Sequence, residues 1–233
     1  MMSISFSSTK KAAADQGIKC LVYGQSGAGK TFLASTLKGK TLILSAEAGL
    51  LSLSGFDIPT ATITSPDDLI EAYQYISGPE GAAYDNVVLD SLSEIGEQIL
   101  IFEMANPKHK GNGMAAYGEL ANRIIALTKA FRDLPGKNVV FIAKAEKSKD
   151  EASGTVLLSP ALPGNKATTN MPYLFDLVMC LRCDRDPDGK IIRRLQTAGD
   201  YQILAKDRSG KLDMYEEPDM AKIFNKISAN KAK

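Results

Sequence analysis

Short runs of apolar residues alternate along this chain with longer stretches in which apolar residues recur every three or four positions. The runs predict buried strands and the longer stretches predict amphipathic helices, so their alternation predicts an α/β domain with a largely parallel sheet. The predicted strands span residues 20–23, 41–45, 61–64, 86–90, 138–143, 176–182, 190–197 and 201–205. The predicted helices follow residue 31, begin at 65–66, run from 91 to about 104, cover about 115–134 and open at 217–218.

Local signals mark several boundaries of these elements. Residues 65–68, Ser-Pro-Asp-Asp, supply an N-cap residue, a proline at the first helical position and acidic groups in the first turn. Residues 186–189, Asp-Pro-Asp-Gly, predict a hairpin that adds antiparallel strands at one edge of the sheet. The polar composition of 106–114 and 144–170 predicts two long loops.

A glycine-rich segment follows the first predicted strand. Residues 24–31, Gly-Gln-Ser-Gly-Ala-Gly-Lys-Thr, fit G-x-x-x-x-G-K-[ST] at every fixed position, between a strand and a helix as this motif requires. We expect its three glycines to adopt positive φ, so that backbone N–H groups and the helix N-terminus face a phosphate. Lys30 would reach the β- and γ-phosphates, and the Thr31 hydroxyl would bind Mg²⁺. The predicted nucleotide-binding residues are Gly24, Gln25, Ser26, Gly27, Ala28, Gly29, Lys30 and Thr31.

Composition and charge narrow the class of protein. The 28 basic and 27 acidic side chains nearly cancel, so binding to nucleic acid must come from local patches. The length of 233 residues suits one domain, for which we predict an N-terminal arm over 1–17, a core over 18–228 and a tail over 229–233. The chain has three cysteines, no signal-peptide pattern and no apolar run that could span a bilayer, so we expect a cytoplasmic protein without a membrane partner.

Two acidic residues follow predicted core strands. Asp90 ends an aliphatic run, which puts its carboxylate at the edge of the sheet where ligands bind, and we expect it to hold Mg²⁺. The same residue could cap the following helix, and the two roles are compatible. Glu47 follows the second strand and would face the γ-phosphate, where it could polarise an attacking water. A solvated loop glutamate is the alternative for Glu47.

The phosphate loop, the segment Leu-Ser-Ala-Glu at 44–47 and the strand Val-Val-Leu-Asp-Ser at 87–91 together resemble the ATPase core of the RecA-like recombinases. The resemblance covers about 18–208 and implies a three-layer RecA-like P-loop fold with ATP and Mg²⁺ as cofactors. The 233 residues leave no room for the family's large C-terminal domain and long N-terminal polymerisation region, so we expect a reduced core. The reduced core is similar to phage-encoded ATPases of single-strand annealing and recombination, which implies the cytoplasm of a bacterial host.

The resemblance also implies catalytic roles for three cations. Lys144 occupies the position after the fourth core strand where the family usually has a glutamine that senses the γ-phosphate. Lys206 and Arg208 look like the family's paired cations, which reach into the ATP site of the adjacent subunit. With Lys30 and Glu47 they complete the predicted catalytic set, although Lys144 could be a solvated lysine and 206–208 a surface turn.

In the same family, the loops that correspond to 106–114 and 144–170 bind single-stranded DNA. Flexible basic loops suit contacts to a phosphate backbone without reading of sequence, but no aromatic platform is evident inside these loops. Solvated mobile loops are the alternative. The predicted DNA-binding residues are Lys108, Lys110, Lys147, Lys149 and Lys166.

These observations predict a DNA-stimulated Mg-ATPase that assembles on single-stranded DNA as a homo-oligomer, a filament or a ring, with a single-stranded-DNA-binding protein as a further partner. A P-loop nucleotide or small-molecule kinase stays open, although 144–170 has no arginine for a phosphate lid. An ATP-binding replication accessory without DNA binding is a further alternative. A GTP switch lacks its Asn-Lys-x-Asp pattern, and AAA-type remodelling ATPases usually carry Asp-Glu where this chain has Asp90-Ser91 and add a helical lid domain.

Overall fold

A computed structural model of the chain describes residues 8–9, 16–47, 49–149 and 154–229. The predicted arm and tail lie largely outside these residues, so their boundaries stay predictions.

Strands and helices alternate through most of the described chain, as the hydrophobic pattern predicts. The strands are β1 Lys19–Gly24, β2 Thr41–Ser45, β3 Thr60–Thr62, β4 Asn86–Asp90, β5 Asn138–Lys149, β6 Val156–Pro160, β7 Leu177–Arg185, β8 Ile191–Gln196, β9 Lys206–Asp207 and β10 Tyr215–Glu216. The helices are α1 Pro66–Ser77, α2 Leu92–Ala105, α3 Gly113–Arg132, α4 Asn165–Asn170 and α5 Met220–Ser228. Short 3-10 helices cover Thr31–Thr36, Leu50–Leu53, Pro79–Ala83, Pro107–His109 and Met171–Leu174.

One sheet carries the architecture, in the order β10-β8-β7-β1-β5-β4-β2-β3. The six strands from β7 to β3 in this order are parallel to their neighbours, whereas β8 and β10 run antiparallel at one edge. This arrangement confirms the predicted α/β fold with a mostly parallel sheet and a C-terminal antiparallel hairpin.

The sheet lies between two hydrophobic cores, which makes the domain three-layered. Because successive side chains of a strand point to opposite faces, β1 contributes Leu21 and Tyr23 to one core and Cys20 and Val22 to the other. The first core is completed by Leu69, Leu92 and Leu120 of α1, α2 and α3, and the second by Leu33 of the 3-10 helix and Ile223 of α5.

The start of α1 agrees with the prediction from residues 65–68. The Ser65 hydroxyl accepts a hydrogen bond from the Asp68 backbone N–H, and the Asp68 carboxylate accepts one from the Ser65 N–H, so the two residues form a capping box. The turn at 186–189 joins β7 to β8, as predicted.

Three predicted elements are wrong. The loop at 144–170 is largely structured, because β5 continues to Lys149 and pairs with β6, and α4 follows. The outer part of β5 is polar and exposed over 147–149, so hydrophobicity gives no sign of a strand there. The segment 201–205 forms a single bridge, Leu158 to Ile203, instead of a strand, and the phosphate loop leads into a 3-10 helix and not a longer α-helix.

A buried tyrosine joins the central sheet to these unexpected segments. The Tyr23 hydroxyl lies 2.9 Å from the backbone carbonyl oxygen of Leu158 and 2.7 Å from that of Leu204, and it can donate its single proton to either. The Leu158 carbonyl also accepts from the Leu204 N–H, so loss of the hydroxyl would leave the Leu204 carbonyl without its donor.

We predict that Tyr23→Phe lowers the free energy of unfolding by about 1–3 kcal/mol, because a buried carbonyl loses its hydrogen bond. Urea denaturation of the variant and the wild-type protein measures this difference. Tyr201→Phe is the control, since Tyr201 is 90% exposed and should change stability little. Equal midpoints for all three proteins would contradict the assigned role of Tyr23.

Candidate functional site

The phosphate loop leaves β1 at Gly24 and has the curled backbone that the motif predicts at two of its glycines. Gly27 has φ 74° and Gly29 has φ 100°, a region that favours glycine. The expectation of positive φ was wrong for Gly24. Glycine is needed there for space, because a Cβ would lie 2.6 Å from the carbonyl oxygen of Leu181 on the neighbouring β7.

Lys30 folds its side chain back over this loop. Its ammonium donates to the carbonyl oxygens of Gly24 and Gln25, each 2.9 Å away. Partial burial lowers the pKa of Lys30, while the nearby carboxylates of Glu47 and Asp90 oppose that shift. The loop therefore holds a positive charge beside two acidic groups.

Thr31 and Asp90 meet at the end of β4. The Thr31 hydroxyl donates to the Asp90 carboxylate at 2.5 Å, and Asp90 is only 4% exposed. Burial raises the pKa of Asp90, the hydrogen bond from Thr31 lowers it, and Glu47 raises it further. A hydroxyl and a carboxylate at this spacing are hard oxygen donors of the kind that Mg²⁺ binds, so the pair fits the cation predicted for it.

Glu47 lies beside the same strand end. The N–H of Ala46, just after β2, donates to the carbonyl oxygen of Asp90 at 2.7 Å, which ties the two strand ends together. The Ser91 hydroxyl then donates to Glu47 Oε1 at 2.6 Å. The Asp90–Ser91 peptide bond is cis. Glu47 is therefore placed near the phosphate loop by two neighbouring strands, and its role as a base stays a prediction.

Lys144 reaches this group from β5. It is aligned with Gly24 across the sheet, and its ammonium lies 2.7 Å from Glu94 Oε2 and 3.8 Å from Glu47 Oε1. The hydrogen bond to Glu94 raises the pKa of Lys144. The sequence analysis missed Glu94, whose only signal is an acidic residue in the first turn of α2.

Lys206 and Arg208 lie away from this chain's own phosphate loop. Strand β9 pairs with Leu177 and Val178, which are aligned with the start of β1, whereas the loop leaves β1 at its other end. Lys206 donates to the Pro172 carbonyl at 2.7 Å. Arg208 donates to the Tyr173 carbonyl at 3.0 Å and lies 3.6 Å from Asp176.

The predicted DNA-binding lysines lie on three different elements. Lys108 and Lys110 belong to the connection between α2 and α3, Lys147 and Lys149 to the outer part of β5, and Lys166 to α4. All five are exposed, and none forms an ion pair with another described residue. The sequence predicts that these lysines lie in two loops, but the structure places them on a connection, a strand and a helix.

The hairpin of β7 and β8 contacts the phosphate loop, a contact that was not predicted from the sequence. The Arg193 Nε donates to the Ala28 carbonyl oxygen at 3.0 Å, and the Cys183 thiol lies 3.7 Å from the same oxygen. Cys183 and Arg193 are cross-strand partners, so one rung of the hairpin contacts the loop. Only pairing in space reveals this contact, because nothing in the spacing of these residues marks them.

No helix in the described ranges is long and apolar enough to cross a bilayer. No curated protein matches the chain at a significant level. A family model described as an AAA domain matches residues 16–209, which is most of the chain. The sequence patterns favour a recombinase-like ATPase over an AAA-type remodelling ATPase. The family match does not test a role in recombination. The chain belongs to the AAA domain family, and this membership indicates a nucleotide-binding P-loop ATPase.

Proposed function

We propose that this protein is an Mg-ATP-dependent ATPase that binds single-stranded DNA in recombination or single-strand annealing of the phage type. In this proposal it works as a homo-oligomer whose ATP sites are completed by the neighbouring subunit. The convergence of Thr31, Asp90 and Glu47 around the Lys30 loop is the observation that carries the ATPase part. The DNA and assembly parts rest on the exposed lysines and on the placement of Arg208.

Different groups of the phosphate loop bind different parts of the nucleotide. Backbone N–H groups around Gly27 and Gly29 bind the phosphate oxygens, and Lys30 leaves the carbonyls of its own loop to bind the β- and γ-phosphates. Thr31 and Asp90 would hold Mg²⁺, which would supply neutralisation of the phosphate charge. The raised pKa of Asp90 fits this role, because a buried carboxylate beside Glu47 gains from a cation.

Glu47 and Lys144 act on the terminal phosphate. Glu47 is oriented by the Ser91 hydroxyl and accepts a proton from the water that attacks the γ-phosphorus. Lys144 has its ammonium within 4 Å of both Glu47 and Glu94, and in the reaction it stabilises negative charge on the phosphoryl oxygens. Glu94 holds Lys144 at the site.

The position of the paired cations supports the assembly part of the proposal. Lys206 and Arg208 lie at the end of the sheet opposite the phosphate loop, so a nucleotide that they contact would belong to another subunit. An interface that joins the two ends of the sheet is heterologous and builds a ring or a filament. A positive group contributed in trans stabilises charge in the transition state of phosphoryl transfer.

We predict that Lys30→Ala abolishes ATP hydrolysis and that Glu47→Gln slows it by a factor of about 100 or more while ATP still binds. Steady-state phosphate release and binding of a fluorescent ATP analogue measure the two effects. Glu71→Gln, a change on α1 away from the loop, should leave both unchanged. Near-normal turnover of Glu47→Gln would remove Glu47 from the mechanism.

We predict that Arg208→Ala and Lys30→Ala are each inactive and that mixing them restores hydrolysis. In a mixture one subunit supplies an intact phosphate loop and its neighbour an intact Arg208, so about a quarter of randomly formed interfaces are complete. Phosphate release is measured for each variant and for the equimolar mixture. A mixture as inactive as its components would argue against a contribution in trans.

We predict that single-stranded DNA stimulates hydrolysis and that the stimulation weakens steadily as salt rises, because phosphate contacts release counterions. ATP turnover with and without an oligonucleotide, over a series of salt concentrations, measures this effect. Double-stranded DNA is the matched control ligand. If ATP turnover is the same with and without DNA at every salt concentration, the result favours a replication accessory that does not bind DNA.

A further inference from the structure

An open groove lies between the first turns of α3 and the segment around α4. It is a cavity of about 570 Å³ whose walls include Met114, Tyr117 and Gly118 of α3 and Gly164 and Lys166 of the facing segment. Gly164 and Lys166 belong to the predicted DNA-binding segment 144–170, whereas Tyr117 and Gly118 lie on α3, outside both predicted loops. The groove therefore joins part of a predicted DNA-binding segment to a helix surface that those loops do not include.

Gly118 is a helical glycine that borders the groove. It lies within α3, where glycine destabilises a helix by about 1 kcal/mol relative to alanine. A Cβ built there would meet no atom of the described chain within 4 Å. The fold therefore has no packing reason for a glycine, whereas close approach of a ligand to the helix backbone would require one.

Tyr117 supplies an aromatic surface beside this glycine. Its side chain is 44% exposed, and it makes no ring–ring contact with another described residue. The backbone of Gly164, with φ 86°, packs against the ring edge, where a Cβ would lie 3.3 Å from Tyr117 Cδ1. Met114, one turn earlier, is 87% exposed. The ring therefore has the Gly164 backbone at one edge and is partly exposed to solvent.

Lys166 gives the groove its charge. Within the described residues no carboxylate lies within 4 Å of its ammonium, which makes only a long contact of 3.4 Å to Asn122 Oδ1. An unneutralised ammonium beside an exposed aromatic ring suits a ligand with a flat apolar face and a neighbouring negative charge. A nucleotide of single-stranded DNA has both.

We propose that this groove stacks one base of single-stranded DNA on Tyr117, over the open surface at Gly118, and that Lys166 binds the adjacent phosphate. The proposal rests on the DNA-binding part of the proposed function and adds the aromatic platform that the loops lack. An apolar peptide or a second copy of this chain would cover Met114 and Tyr117, but neither would need the unpaired Lys166.

The experiment measures binding of fluorescein-labelled oligo-dT and of an oligonucleotide of equal length with abasic sites, in the presence of a non-hydrolysable ATP analogue. Wild-type protein should bind oligo-dT about 5- to 150-fold more tightly, the range expected for stacking of a base. Tyr117→Ala should bind both ligands with equal, weak affinity, and Tyr117→Phe should keep the preference. Tyr75→Ala, a tyrosine with 45% exposure on α1, is the matched control and should behave as wild type.

Gly118→Leu separates a binding role from a structural one. The added side chain fills the groove and should abolish the preference for oligo-dT over the abasic ligand. The same change should raise the melting temperature by about 2–4 °C, because leucine favours a helix more than glycine does. A merely structural role for Gly118 predicts a lower melting temperature instead.

The outcomes distinguish this proposal from the function on which it rests. If wild type binds DNA and Tyr117→Ala and Gly118→Leu keep the full preference for oligo-dT, the groove is not the stacking site and DNA binding itself stands. Failure of wild type to bind either ligand at low salt overturns both. If Gly118→Leu instead changes the oligomeric state by light scattering without changing DNA affinity, the groove is an interface between copies and the stacking proposal is wrong.

Discussion

The hydrogen bond between Thr31 and Asp90 is the contact on which the arrangement of the site depends. It joins the phosphate loop, which leaves β1, to the end of β4, although β5 lies between these two strands in the sheet. The Ala46 N–H extends the connection to β2 through the Asp90 carbonyl. Because these strands are parallel, their carboxyl ends share one edge, and a few short hydrogen bonds there hold Asp90 and Glu47 beside the loop.

At this edge of the sheet each lysine lies near two carboxylates. Lys30 lies near Glu47 and Asp90, and Lys144 lies between Glu47 and Glu94. Both cations hold partners that a nucleotide could replace: Lys30 binds carbonyls of its own loop and Lys144 binds Glu94. Lys30 can exchange its carbonyls for phosphate without leaving a charge unpaired, and Glu94 is 35% exposed, so water can solvate it if Lys144 turns to phosphate.

The ends of the sheet have different functions in the proposed assembly. The carboxyl end carries the nucleotide machinery, and the opposite end carries Arg208 beside Asp176. The hairpin of β7 and β8 touches the phosphate loop through Arg193, while β7 also pairs with β9 near Arg208. A single strand, β7, therefore runs between the two ends, with hydrogen bonds to β9 at one end and to the phosphate loop, through its hairpin partner β8, at the other.

The amino-acid sequence by itself determined the order of strands and helices, the phosphate loop, the α1 cap and the hairpin turn, because each depends on residues close together in the chain. It also marked Asp90 and Glu47, since both follow apolar runs. Only the tertiary structure decided that β5 continues past Lys144, that Glu94 and Arg193 join the site, that Gly24 needs space and not positive φ, and that Tyr117 and Lys166 line one groove. Those features depend on contacts between residues far apart in the chain, and local patterns of hydrophobicity do not predict such contacts.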